Sequence, residues 1–222
     1  MTTDLHPPQQ TRSRQTMDRL LAATVSVIGE NGLAAVSIPQ IAVAAGLSTG
    51  AIYRRFTDKD ALIRTAILQF LENAQKLNRQ ALTPERFAEM DLQETLFAIC
   101  RALVRQYREH PILLKALDQF LESQSDEAFR KRMIDLIEAN IRCVIDVLML
   151  YREKVATSRP ERAIKFALLS ALTLIEGKVL HQSALWQRIL PLSDEDLVTE
   201  TVQIMTAYLT TKAPPKKTKS KK

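Results

Sequence analysis

Apolar side chains recur at helical spacing along most of the chain, at i, i+3, i+4 and i+7, the pattern of one buried helix face. A first helix is predicted near residues 14–30, on Met17, Leu20, Leu21, Thr24, Val25 and Ile28, and Asn31-Gly32 ends it. A second follows on Ile38, Ile41, Ala42 and Ala45. Ser37 is placed to cap it with its hydroxyl, and Pro39 is tolerated in a first turn that needs no intrahelical N–H. Gly46 supplies the left-handed residue that stops it. Leu47 plugs the turn, Ser48 caps a third helix, and Ile52 and Phe56 form that helix's inner face. Thr57-Asp58-Lys59-Asp60 then resembles a capping box and opens a long helix to about Ala81, on Ile63, Ala66, Ile67, Phe70, Ala74 and Leu77.

Thr83-Pro84 breaks the pattern. A fifth helix runs on Leu92, Leu96, Ile99, Cys100, Leu103 and Tyr107 and stops at His110-Pro111, and a short sixth covers about 112–122. The seventh carries Phe129, Met133, Leu136, Ile137, Asn140, Ile141, Val144 and Leu148 inside. Pro160 opens an eighth, predicted to reach about Arg188. Ser193 caps a ninth, with Asp194, Glu195 and Asp196 favourable at its positive end and Leu197, Thr201, Ile204, Met205 and Tyr208 inside. The reading is all-α: a three-helix unit followed by six helices.

Composition changes this picture in three places. The chain of 222 residues carries a formal charge of +6, but residues 211–222 hold six lysines and no acid, which leaves 25 basic against 25 acidic residues elsewhere. The basic balance therefore belongs to a tail that reads as disordered, either adding nonspecific DNA affinity or merely solvated. Residues 1–13, with Pro7-Pro8-Gln9-Gln10, read as a flexible arm. The longest apolar run, 166–175, falls well short of the roughly 20 residues that span a bilayer, and the N-terminus lacks a basic-then-apolar signal pattern, so the expected location is cytoplasmic. In a reducing compartment Cys100 and Cys143 are expected as free core thiols.

Residues 37–56 are thus helix, tight turn with glycine, helix: the helix-turn-helix arrangement, whose second helix enters the DNA major groove. At 100° per residue, Gly50 and Arg54 lie nearly opposite Ile52 and Phe56, so Arg54 points outward, where a guanidinium bonds guanine O6 and N7 or a phosphate. Ile41-Ala42, Ala45-Gly46-Leu47-Ser48, Gly50, Ile52-Tyr53, Phe56, Lys59 and Leu62 together resemble the signature of the TetR/AcrR family of transcriptional regulators over roughly residues 17–66. The resemblance implies a DNA face of Ser37, Ser48, Thr49, Gly50, Tyr53, Arg54 and Lys59. Lys59 matches a phosphate-holding lysine, and Ser37 a phosphate contact or a cap alone. Tyr53 either touches DNA or packs, and Arg55 either belongs to this face or forms a surface ion pair.

The resemblance further implies a DNA-binding domain at 14–60 and a ligand-binding and dimerisation domain at 61–210. The eighth helix is apolar all round over 166–175 and so must be covered on both sides. A second copy covers the outer side in the family, which makes Leu168, Leu172, Ile175, Val179, Ile204 and Tyr208 the expected dimer interface, with a helix central to a monomeric core as the other reading. Cys100, His110, Met133, Ile137, Asn140 and Glu176 are the expected lining of a small-molecule pocket, with an interhelical hydrogen bond as the other reading of Asn140. His6, His110 and His181 have no metal-ligand spacing, and no phosphate-binding loop or nucleophile elbow occurs, so neither an enzyme, a metal nor a cofactor is expected. The implied function is a dimeric, effector-released repressor on a palindromic operator of double-stranded DNA, with no membrane partner. An activator, or a protein-interaction module that no longer binds DNA, are the alternatives.

Overall fold

The computed structural model describes residues 9–181 and 184–212. The lysine-rich tail beyond Lys212, the first eight residues of the expected arm and His6 lie outside them. Within the described residues the chain is all-α, as expected: α1 (Gln9–Asn31), α2 (Ile38–Ala45), α3 (Thr49–Tyr53), α4 (Lys59–Ala81), α5 (Pro84–Phe87), α6 (Leu92–Glu109), α7 (Pro111–Ser123), α8 (Glu127–Leu148), α9 (Pro160–Val179), α10 (Ala184–Ile189) and α11 (Asp194–Thr210), with 3-10 turns at Leu33–Ala35 and Met149–Lys154. α1 starts at Gln9 because no helix breaker separates residues 9–13 from the apolar stripe, so these residues are helical instead of part of an arm. Thr83-Pro84 starts a single turn, α5, where only a break was expected. The expected eighth helix divides into α9 and α10; Gly177, of low helix propensity, lies in the last turn of α9.

By packing, the chain forms two compact units: residues 9–77 with His110–Ala139, and Asn78–Glu109 with the described residues from 140 on. The unit that holds the helix-turn-helix therefore extends well past residue 60. In it α1 packs on α2 and α7. Leu20, Ile28, Ile41, Ile52, Leu62 and Ile67 are almost completely buried in one cluster with Leu113, Phe120, Phe129 and Met133. Phe120 and Phe129 meet edge to face at 5.7 Å. Arg132 pairs with Glu72 at 2.8 Å on the surface, a contact of small energetic weight.

The second unit is a bundle in which α6, α9 and α11 pack on one another. Leu96, Ile164, Ile175, Leu197 and Val202 are fully or almost fully buried there. Ser193 and Asp196 form a reciprocal cap at the start of α11, and Arg108 and Arg101 of α6 hold the neighbouring Asp194 and Glu195, each at 2.7 Å. The Tyr151 hydroxyl is the centre of a buried network: it lies 2.6 Å from Thr95 Oγ1, 3.0 Å from the Met90 carbonyl and 3.1 Å from that of Phe87. This latches the α5 turn to α6. No helix among the described residues is long and apolar enough to cross a membrane.

Candidate nucleic-acid interface

Three local devices shape residues 37–62. The first is a reciprocal cap on α2: the Gln40 N–H reaches Ser37 Oγ at 3.5 Å, while Gln40 Oε1 accepts from the Ser37 N–H at 3.0 Å and from its hydroxyl at 2.7 Å. The second is the turn. Gly46 sits at φ 60°, ψ 42°, a left-handed conformation that glycine adopts without strain. Leu47 N–H then donates to the Ala42 carbonyl at 2.9 Å, closing α2. The third is the cap on α3, where Ser48 Oγ accepts from Ala51 N–H at 3.2 Å.

These devices leave α3 with its Ala51 and Ile52 side buried and Thr49, Gly50, Tyr53 and Arg54 exposed, Tyr53 to 58 %. Of the expected DNA face, Thr49, Gly50 and Tyr53 lie in this five-residue helix and Ser48 and Arg54 at its two caps, while Ser37 caps α2 and Lys59 opens α4. Gly50 stands out on α3. Its backbone is outside the left-handed region, and among the described residues nothing beyond its own turn lies within 4 Å of the Cβ an alanine would add. Neither conformation nor internal packing requires a glycine at this position, although it weakens the helix.

The charged groups are positioned by backbone carbonyls. Lys59 Nζ donates to the Val36 carbonyl at 3.2 Å, which holds the ammonium beside the start of α2 with further N–H donors to spare. Arg55 Nη1 donates to the Ala51 carbonyl at 2.8 Å, which lays the Arg55 guanidinium along α3. Arg54 is exposed, at the end of α3. Asp58 caps α4, accepting the Ala61 N–H at 2.7 Å, and that bond holds its carboxyl below the ordinary carboxylate range. Gln40 was absent from the sequence-based site. With its Oε1 committed to Ser37, its exposed amide has only N–H donors left to offer, and the Ser-x-x-Gln spacing was the signal that would have found it.

The expected pocket residues are divided between the two units. Met133 is fully buried in the first unit's cluster and Ile137 packs against it. His110 is exposed at the start of α7. In the second unit Cys100 is fully buried with Sγ 3.9 Å from Met205 Sδ, and burial pushes its thiol up to about 12. Asn140 Oδ1 accepts from Asn78 Nδ2 at 2.8 Å, the interhelical hydrogen bond. Glu176 lies 3.8 Å from His181. Among the described residues no group of three or more His, Cys, Asp or Glu is placed to hold a metal ion.

The expected dimer residues divide into two sets. Leu168, Ile175 and Val179 are at most 3 % exposed, because α9 turns them onto its own bundle, and Leu172 is half-buried. Ile204 and Tyr208 are about half exposed, with Phe166, Leu169 and Leu174 beside them on the outward side of α9. Phe166 and Tyr208 pair at 5.4 Å over a groove of about 100 Å³ between α9 and α11, lined also by Ser170, Ile204 and Met205.

Capped helix, left-handed glycine turn and capped second helix with an open outward face define a helix-turn-helix unit. Residues 20–66, about a fifth of the chain, match the family described as bacterial regulatory proteins, tetR family. The chain is 32 % identical over 80 residues to the HTH-type transcriptional regulator UidR of Escherichia coli K12; the match takes in 36 % of this chain and 41 % of UidR. The fold is shared with a TetR transcription regulator of Haloarcula marismortui (TM-score 0.59, 22 % identity, 88 % of this chain and 97 % of the other). It is shared also with FadR of Bacillus subtilis, solved with stearoyl-CoA (TM-score 0.57, 17 % identity, 86 % and 97 %).

Proposed function

We propose that the chain is a DNA-binding transcriptional repressor that acts as a homodimer in the cytoplasm and leaves a palindromic operator when a small-molecule effector binds. Residues 14–60 form the DNA-binding domain in this reading, and residues 61–210 carry effector binding and dimerisation. The observation that carries it is Gly50, an exposed helical glycine without an internal reason, flanked on the same surface by Thr49, Tyr53 and Arg54. A missing side chain there lets the helix backbone approach a groove wall closely. Arg54 then reaches a base edge, where a bidentate guanidinium discriminates by about 1–3 kcal/mol. Lys59, held at the start of α2, and Ser37 face a phosphate, and Ser48 fixes the helix that carries Thr49 and Tyr53. Two such helices in a two-fold dimer reach successive major grooves, which makes the site a palindrome.

Release follows from linkage: an effector that binds better to an arrangement unable to span both half-sites shifts the population away from DNA. Because FadR of Bacillus subtilis was solved with stearoyl-CoA, long-chain acyl-CoA is the first effector class to screen. The test is selection of bound duplex from a random pool, followed by titration over a range of salt. Arg54→Ala should relax preference at one base pair per half-site. Lys59→Ala should weaken all sequences alike and lower the salt slope by about one per subunit. If both variants remain folded and bind like the parent chain, this face does not contact DNA. If no duplex is selected at all, the protein-interaction reading takes its place.

A further inference from the structure

Between α9 and α11 the chain makes an excursion through α10 that carries an unusual load of outward apolar surface. Leu185, Trp186, Ile189 and Leu190 are exposed to 63, 57, 59 and 51 %. They fall into two i,i+4 pairs one residue apart, so they make a single broad face. The end of α10 is fixed to α9: Lys178 Nζ donates to the Leu190 carbonyl at 3.0 Å. Lys178 also continues the i,i+4 row of Phe166, Ser170 and Leu174, three residues that line the α9–α11 groove. The apolar groove surface thus runs along α9 directly to the foot of α10.

The area decides what this surface is for. The outward residues Phe166, Leu169, Leu174, Ile204 and Tyr208 leave on the order of 500 Å² of side chain in water, and α10 adds about as much again. A total of roughly 1,000 Å² exceeds the ~300–600 Å² of the largest apolar patch on an ordinary monomer and reaches the per-subunit range of obligate homodimers. Without α10 the apolar face is about half as large. A membrane surface fits poorly as the occupant, because α10 spans six residues with Arg188 as its one cation, whereas interfacial helices are long and basic on their polar face.

We propose that α10 is an arm of the dimer interface: its Leu185, Trp186, Ile189 and Leu190 face seats on the α9–α11 surface of a second copy. The inference rests on the homodimer reading above and adds to it an element and a residue, Trp186, as the anchor. Buried tryptophans at the centre of interfaces dominate their binding energy.

The test uses the chain's single tryptophan. Sedimentation equilibrium and Trp186 fluorescence are followed on the full-length protein across the same dilution series. As the dimer dissociates, emission should move to longer wavelength and acrylamide quenching should rise, with the midpoint given by sedimentation. Trp186→Ala should raise the dimer dissociation constant at least about tenfold with unchanged far-ultraviolet circular dichroism. Leu169→Arg, on the outward face of α9, should give a folded monomer with solvent-exposed Trp186 emission. A stable dimer whose Trp186 is quenched like free tryptophan overturns the proposal. So does a Leu169→Arg monomer that keeps shielded emission, since its own chain would then cover Trp186. A shift produced by anionic vesicles, and not by dimerisation, overturns it in favour of a membrane surface. A wild-type chain that sediments as a monomer at every concentration fails at the earlier step, the homodimer itself.

Discussion

Gly50→Ala separates the two explanations a glycine in a helix can have, because the structure makes them differ in sign. The added methyl meets nothing within 4 Å beyond its own turn, and the backbone is not left-handed, so the folded state accepts it without strain. Replacing an unconstrained helical glycine by alanine reduces the entropy of the unfolded chain and raises stability by roughly 0.4–1 kcal/mol. For a chain of this size that is an upward shift in Tm of about 1–4 °C. On DNA the same methyl would stand between Tyr53 and Arg54, on the surface that approaches the groove. A backbone held away by about one methyl radius loses the base-edge hydrogen bonds of Arg54, which sharpen or fail within a few tenths of an ångström. Binding to a selected palindrome should weaken at least about tenfold, or about 1.4 kcal/mol. The pair of measurements is thermal unfolding and fluorescence anisotropy on labelled duplex at fixed salt. A destabilised variant refutes the claim that nothing internal requires the glycine. A stabilised variant with unchanged DNA affinity refutes the claim that the backbone approaches DNA there.

Three further outcomes are expected. Gln40→Glu keeps a reciprocal cap with Ser37, since glutamate serves the same role as glutamine, so thermal stability should hold while the outward amide donors become carboxylate oxygens and DNA affinity falls; unchanged affinity in a gel shift removes Gln40 from the interface. Tyr151→Phe removes the partner of the buried Thr95 hydroxyl and of the half-buried Met90 carbonyl and should cost about 1–3 kcal/mol in urea unfolding; a neutral result shows the latch to be redundant. Asp58 has a folded-state pKa below its ordinary value, so its cap stabilises the protein above that value and the contribution disappears as pH falls through the lowered one. Asp58→Asn, which caps without titrating, should flatten the acid limb of a circular-dichroism titration.

The helix-turn-helix was legible because its signals are local. Ser37, Gly46 and Ser48 act within four residues of themselves, and the structure places each where its chemistry demands. The all-round apolar stretch of α9 was legible as a fact and illegible as an orientation. It contains two stripes, one through Ile164, Leu168, Ala171 and Ile175, the other through Phe166, Leu169 and Leu174. Only the packing of α6 and α11 selects the first for the interior. The partner of Asn140 was out of reach for a similar reason, since Asn78 lies 62 residues away in sequence. Gln40 was missed although its spacing from Ser37 was in plain view, because one reciprocal bond leaves the amide with donors alone.

The glycines tie the two proposed contact faces together. Gly32 and Gly46 have positive φ, 73° and 60°, and need no further explanation. Gly50 and Gly177 have neither a left-handed backbone nor, beyond their own helical turns, any described neighbour within 4 Å of an added Cβ. Each weakens its helix relative to alanine, and the fold of one chain gains nothing in return. Gly50 lies among Thr49, Tyr53 and Arg54. Gly177 is exposed on α9, one residue before Lys178, where the groove row meets α10. A helix surface stripped to its backbone is useful when something outside the chain must come close to it. Gly50 carries the proposed approach to the DNA groove at α3, and Gly177 lies where a second copy was proposed on other grounds, at the end of α9.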